Sequence, residues 1–135
     1  MANQIGSDVV IALAKKNTII TGKKNKIFKI NNKLNLNVII VYPNIRCSTK
    51  KIYQKNKKFS PKKSILKYPF KNKNKLINFL KNENNDLQQI VIKLHPKIED
   101  LINNIDEQNG CYFSRITGSG SACIGIFFDI KTAIL

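Results

Sequence analysis

The chain has 135 residues, of which 42% are hydrophobic, and it carries a formal net charge of +16. This length suits one domain of ordinary size, and this apolar content excludes wholesale disorder. Its apolar runs are far shorter than the roughly 20 residues that cross a bilayer. Because no signal-like segment follows Met1, we expect a cytoplasmic protein with no membrane partner.

The positive charge raises the question of a polyanionic partner. All but two of the 24 cationic residues are lysine, the exceptions being Arg46 and Arg115. Proteins that bind nucleic acid favour arginine, whose planar fork pairs with guanine and phosphate, and they interleave aromatic rings with their cations. Abundant Lys, Asn and Ile are instead typical of an A/T-rich genome. We therefore expect no nucleic-acid partner, with a non-catalytic basic RNA-binding module as an alternative.

The first part of the chain predicts a β-rich unit. Residues 9–13 form a short apolar run suited to a buried strand. Residues 17–21 and 26–30 flank a turn that contains Gly22, and they predict a β-hairpin. Residues 36–42 are the most strand-like segment, and Pro43 ends it because proline cannot continue a hydrogen-bonded ladder.

The middle of the chain predicts helices around a basic loop. Ser48 and Thr49 are suited to cap a short helix that buries Ile52 and Tyr53. Residues 55–67 predict a surface loop, more typical of a solvated face than of a binding site. Apolar stripes predict three more helices. Asn85-Asp86 is expected to cap the second of these helices, and Pro96 to open the third. The residues predicted to face inward are Leu76, Ile77, Phe79 and Leu80 in the first helix, Leu87, Ile90, Val91 and Leu94 in the second, and Ile98, Leu101, Ile102 and Ile105 in the third.

The last part predicts a second hairpin. Residues 111–116 and 122–128 read as strands joined by a tight turn at residues 118–121, and residues 131–135 read as the start of a helix. The order of elements predicts an α+β fold, with the helices on one face of an antiparallel sheet. Three widely spaced cysteines predict reduced thiols, because their spacing suits neither a disulfide framework nor a zinc site.

Two short segments carry residues suited to chemistry. Asp8 follows Gly6-Ser7 and precedes an apolar run, so its carboxylate is placed to orient a hydroxyl or accept its proton. The alternative is an ordinary Asp turn or cap. The segment from Thr117 to Ser121 brings hydroxyls and flexible glycine backbone together, which suits phosphate or sugar oxygens. The alternative is an ordinary hairpin turn, and the segment is neither a dinucleotide fingerprint nor a Walker loop.

Taken in order, several motifs resemble the 4-diphosphocytidyl-2-C-methyl-D-erythritol kinase family of the GHMP kinases. Residues 5–9, Ile-Gly-Ser-Asp-Val, are similar to its G-[AS]-D-V-P segment. Pro43, Ser48-Thr49 and Tyr53 follow its P-x-[IV]-x-x-S-T-x-x-x-Y pattern. Asn85-Asp86-Leu87 with Pro96 resembles its N-D-L-E … L-x-P pattern, and residues 117–125 resemble its S-G-S-G-S-T-C-F-G loop.

The resemblance implies a two-domain enzyme. Residues 1–34 would be the tail of an N-terminal domain like ribosomal protein S5, and residues 35–135 would be a ferredoxin-like C-terminal domain without its last helix and strand. The implied reaction is ATP-dependent phosphorylation of the 2-hydroxyl of 4-diphosphocytidyl-2-C-methyl-D-erythritol in non-mevalonate isoprenoid synthesis, with Mg²⁺ as cofactor. Asp8 would be catalytic, no residue would bind metal, and the substrate would be bound by Thr49, Gly118, Ser119, Gly120 and Ser121.

The departures from the family pattern also carry expectations. The family's glycine-rich phosphate loop and the lysine that pairs with its catalytic Asp are absent from the sequence, Val10 replaces a proline, and Gln88 replaces a glutamate. We therefore expect a chain truncated at both ends, inactive alone, whose partner would be the missing N-terminal portion of the same enzyme. The alternative within this superfamily is another GHMP kinase, such as one that acts on homoserine or a mevalonate derivative.

Overall fold

The computed structural model describes residues 12–13, 18–21, 26–29, 34–60, 72–129 and 131. Several predictions lie outside the described residues. They concern Asp8, the predicted strand at 9–11, most of the connector at 31–35, the basic loop beyond Ser60 and the helix beyond Lys131.

The predicted first hairpin is confirmed. Strands β1 (Thr18–Thr21) and β2 (Lys26–Lys29) pair in antiparallel fashion, with Thr18 opposite Lys29 and Thr21 opposite Lys26. The strand prediction just before it is wrong for its last two residues, because Ala12 is helical and Leu13 lies in a turn, both exposed. A short apolar run without alternation does not distinguish a strand from a helical segment.

A second sheet forms the centre of the described chain. Its strands are β3 (Asn37–Val41), β4 (Cys111–Ile116) and β5 (Cys123–Phe127), arranged antiparallel in the order β3-β5-β4. All three were predicted from their apolar and β-branched runs. Phe127 of the central strand faces Asn37 on one side and Cys111 on the other. The strand β3 therefore lies at the edge of this sheet.

Four helices occur in the described residues, close to their predicted positions: α1 (Thr49–Lys55), α2 (Lys73–Asn82), α3 (Gln88–Leu94) and α4 (Lys97–Asp106). Side-chain caps begin two of them. The Oγ of Ser48 accepts from Lys51 N, and the Oδ1 of Asn72 accepts from Lys75 N. Pro96 precedes α4, where its missing N–H and fixed φ suit a helix start.

The main core lies between one face of the sheet and helices α1, α3 and α4. Its fully or nearly fully buried members are Ile52, Leu87, Val91, Ile98, Ile102, Ile105, Ile116, Cys123 and Phe127. The sheet and α4 approach closely at Gly125, where a Cβ atom would lie 2.6 Å from Ile105 Cγ2. Real side chains do not tolerate such a distance, so a residue without a Cβ atom permits this packing.

Helix α2 packs on the opposite face of the sheet, and the prediction that all helices share one face is wrong. Ile77 of α2 is buried with Phe113 and Ile126 in a second cluster. Ile126 and Phe127 are consecutive, so their side chains point to opposite faces, and both are buried. A central strand that is apolar on both sides needs cover on both sides.

Two residues predicted to face the core are exposed instead. Ile52 is buried as predicted, but its neighbour Tyr53 is 53% exposed, and Leu94 at the end of α3 is 41% exposed. Consecutive helical residues differ in direction by about 100°, and in α1 this difference turns Tyr53 outward while Ile52 faces the core.

Candidate functional site

The turn between β4 and β5 is built by its glycines. Thr117 N donates to Ala122 O at 2.9 Å and Gly120 N donates to Thr117 O at 3.1 Å, which closes the turn. Gly118 and Gly120 have φ angles of +57° and +73°, a region that favours glycine. The peptide bond between Gly120 and Ser121 is cis. The predicted tight turn is therefore confirmed in conformation.

The two glycines differ in their surroundings. A Cβ atom on Gly120 would lie 3.2 Å from Cγ1 of Val91, so this residue packs against helix α3. A Cβ atom on Gly118 would meet nothing within 4 Å. The Gly118 side of the turn is consequently the open side, where another molecule can approach the backbone.

Thr49 lies against this turn. Its Oγ1 is 2.9 Å from the Oγ of Ser119, a hydrogen bond in which either hydroxyl can donate, and Thr49 is exposed while Ser119 is half-buried. Thr49 is the first residue of α1, and Ser48 caps that helix, so the cap sets the position of the hydroxyl. The structure thus brings together two of the segments that the sequence singled out.

Asn85 holds the turn from another direction. Its Nδ2 donates to Gly118 O at 2.8 Å and to Ile116 O at 3.3 Å, while its Oδ1 accepts from Leu87 N at 3.0 Å. Gln88 supports the same strand end, because its Oε1 accepts from Ile116 N at 3.1 Å. The sequence indicated Asn85-Asp86 as a cap for α3 and as part of a family motif. The cap prediction is wrong, because Leu87 is the N-cap residue of α3 and no side chain caps this helix. The bonds of Asn85 to the turn were not foreseen.

The same region of the chain matches a known protein family. The family described as GHMP kinases C terminal has a sequence model that matches residues 69–133, a span that includes α2, α3, α4, both strands of the hairpin and the glycine turn. The α+β architecture of the described residues is consistent with such a domain. Residues 69–133 are therefore similar to the C-terminal domain of the GHMP kinases.

Individual relatives match over almost all of this chain. A protein of Pelagibacter ubique is 31% identical over 97% of the chain, one of Wolbachia pipientis wMel is 35% identical over 98%, and one of Anaplasma phagocytophilum is 33% identical over 100%. Each relative is named 4-diphosphocytidyl-2-C-methyl-D-erythritol kinase. The chain spans about half the length of these relatives, 45% of the first and 46% of the other two.

Among the predicted site residues that the structure describes, Ser121 is the buried one. It is 3% exposed, and its Oγ donates to Ile45 O in the segment before α1. Its hydroxyl therefore ties the turn to that segment. Gly118 and Ser119 are more open, and in the described part of the chain no acceptor is found for their backbone N–H groups. These two amides, with the hydroxyls of Ser119 and Thr49, are suited to phosphate or sugar oxygens.

A buried thiol lies beneath the turn. Cys123 is fully buried, and its Sγ donates to Ser121 O at 3.5 Å. Burial raises the pKa of this thiol, with a smaller contribution from the neighbouring Cys47, from its ordinary value of 9.0 to about 11. All three cysteines are free in the structure. Cys123 is therefore a packing residue and not a nucleophile.

The described residues contain neither a membrane-spanning helix nor a cluster of metal ligands. None of their helices has the length and apolar character needed to cross a bilayer. Nowhere in the ranges that the structure describes do three or more His, Cys, Asp or Glu side chains come together as metal ligands would.

Proposed function

We propose that the protein phosphorylates the 2-hydroxyl of 4-diphosphocytidyl-2-C-methyl-D-erythritol with ATP, a step of non-mevalonate isoprenoid synthesis. The relatives carry the name of this kinase, and the chain is 31–35% identical to them over 97–100% of its length. We further propose that the described residues form part of the site for the acceptor substrate, with the α1 and glycine-turn segments as its walls.

The observation that carries this proposal is the hydrogen bond between Thr49 and Ser119. The two residues are 70 positions apart in sequence, yet their hydroxyls are 2.9 Å apart. The resemblance assigns both segments to the substrate, and a substrate site requires that they meet. The unused N–H groups of Gly118 and Ser119 add donors at the same place, as a phosphorylated ligand requires.

The exposed ring of Tyr53 suits the cytosine of this substrate. Tyr53 follows Thr49 by four residues in α1, so both side chains lie on one side of the helix. An exposed aromatic ring provides a flat surface on which a base can stack. In this arrangement the base lies on Tyr53, and the oxygens of the diphosphate or erythritol reach the turn.

Asp8 is the proposed base, on the strength of the resemblance. Its carboxylate would take the proton of the 2-hydroxyl as that oxygen bonds to the γ-phosphorus of ATP, while the bond to the β-phosphate oxygen breaks and ADP leaves. ATP supplies the phosphoryl group. We propose that residues 1–34 and 35–135 belong to two domains. We also propose that the ATP phosphates and Mg²⁺ are held by residues that correspond to the part of the relatives that this chain does not span.

The experiment joins the chain to the part of the Pelagibacter ubique relative that it does not cover. With ATP and the diphosphocytidyl substrate, we expect ADP release and a new phosphomonoester signal in the ³¹P NMR spectrum. Asp8→Asn is expected to lower kcat at least about 100-fold. Asp100→Asn, an equal charge change on the exposed side of α4, should leave it unchanged.

Two results would overturn the proposal. One is unchanged turnover in the Asp8→Asn enzyme. The other is a clear preference for a different acceptor, such as homoserine or a mevalonate derivative, when all are offered at equal concentration, because this would assign the chain to another GHMP kinase.

A further inference from the structure

A groove of about 600 Å³ lies at the other end of α1, between the segment that follows this helix and the helix α3. It shares none of its lining residues with the glycine turn or with Thr49. The sequence predicts a solvated basic loop at residues 55–67, and its described residues, up to Ser60, are mostly exposed and form one wall of this groove.

The groove is strongly positive. Lys55, Lys57, Lys58 and Lys93 line it, and the one carboxylate in the lining, Asp86, accepts hydrogen bonds from the backbone N and the Oγ of Ser60. Within the residues that the structure describes, none of the four ammonium groups is paired with a carboxylate. Four lysines around one concave surface attract an anion far better than scattered surface lysines do.

The groove also has an apolar part. Phe59 is 69% exposed at its wall, and Ile90 of α3 contributes a half-buried side chain. An exposed phenylalanine ring beside clustered ammonium groups is a surface on which a base stacks while its phosphates are neutralised.

We propose that this groove is a second ligand site and that it binds a nucleotide, with its phosphates at the lysines and its base against Phe59. The volume lies within the range of small-molecule sites, roughly 300–1,000 Å³. A bare phosphate would leave Phe59 unused. An RNA strand would need a longer track with several exposed rings, and the described lining offers one.

The test is an NMR titration of the ¹⁵N-labelled chain with ADP, accompanied by calorimetry. We expect saturable binding of one ADP, with amide signals that shift at residues 55–60 and 89–93 and stay unchanged at 118–121. The double variant Lys58→Gln/Lys93→Gln should bind about tenfold more weakly. The matched double variant Lys75→Gln/Lys97→Gln, which removes two exposed lysines outside the groove, should bind as the unmodified chain does.

Smaller probes separate the parts of the site. Phe59→Leu should weaken ADP binding at least about fivefold, the lower end of a stacking contribution, and should leave inorganic pyrophosphate binding unchanged.

The inference is overturned by equal losses of ADP affinity in the two lysine variants, or by ADP binding no tighter than pyrophosphate. It is also overturned by amide shifts confined to the glycine turn, or by salt-sensitive binding of single-stranded RNA without binding of ADP. The lysine and Phe59 variants leave the residues of the kinase proposal unchanged, so failure of this inference in those variants is distinguishable from failure of the kinase proposal.

Discussion

The hydroxyl of Thr49 at the start of α1 and the hydroxyl of Ser119 in the glycine turn are 2.9 Å apart. Side-chain hydrogen bonds hold the turn at three of its residues. Asn85 donates to Gly118 O, Thr49 and Ser119 share a bond between their hydroxyls, and Ser121 donates to Ile45 O. Its shape therefore depends on two other segments of the chain. Such support is what a site needs if it is to present backbone amides to a ligand in a fixed geometry.

The two glycines of the turn should differ in their tolerance of alanine. Gly118→Ala is expected to lower the free energy of unfolding by about 1–2 kcal/mol, because alanine is strained at positive φ but meets no neighbour here. Gly120→Ala adds a contact with Val91 at 3.2 Å to the same strain, so its loss should be larger by about 1 kcal/mol or more. Urea unfolding of both variants measures this, and equal losses would contradict the packing role of Gly120.

The amide of Asn85 should be required for the stability of the turn. Asn85→Asp keeps an oxygen for Leu87 N but loses the donor to Gly118 O and Ile116 O and places a carboxylate beside those carbonyls. We expect a loss of about 1–3 kcal/mol in urea unfolding, with faster hydrogen exchange in the turn. Asn84→Asp, the same charge change at the exposed neighbouring position, is the control. A loss of equal size in the control would remove the argument.

The part of the fold that the sequence predicted well rests on periodicity. The stripe of Ile98, Ile102 and Ile105 predicted α4, and each of the three is buried. The side of the sheet on which a helix packs is not encoded in such a stripe. The burial of both Ile126 and Phe127 shows that both faces of β5 are covered, and this became clear only with the helices in place.

The candidate site was predicted in part for a related reason. The glycine pattern predicts a turn, since positive φ is a local requirement. The bond of Asn85 to the turn crosses 33 residues and that of Thr49 crosses 70, and no local pattern reports such contacts. Only the family resemblance placed Thr49 and Ser119 in one site. Tyr53 was predicted to be buried because it follows an apolar residue, although the helix turns it outward.

The thiol beneath the turn should make stability depend on alkaline pH. Burial, and to a smaller extent Cys47, raises the pKa of Cys123 to about 11, so the folded chain keeps this proton after the unfolded chain has lost it near its ordinary pKa of 9.0. Stability should therefore fall as pH rises from about 9 to about 11. Because other groups also titrate there, the measurement is the difference in unfolding free energy between the unmodified chain and Cys123→Val. A difference that stays constant over that interval would contradict the burial of the thiol.

The most direct test of the substrate site is an NMR titration of the ¹⁵N-labelled chain with 4-diphosphocytidyl-2-C-methyl-D-erythritol. We expect saturable shifts in the amide signals of Gly118 and Ser119, and none at Asn103 on the exposed side of α4. Ser119→Ala and Thr49→Val should each weaken binding about threefold to tenfold, and the double variant by less than the product, because the two hydroxyls act as a pair. Signals at the turn that do not respond to the substrate, or affinity unchanged in both variants, would contradict the account.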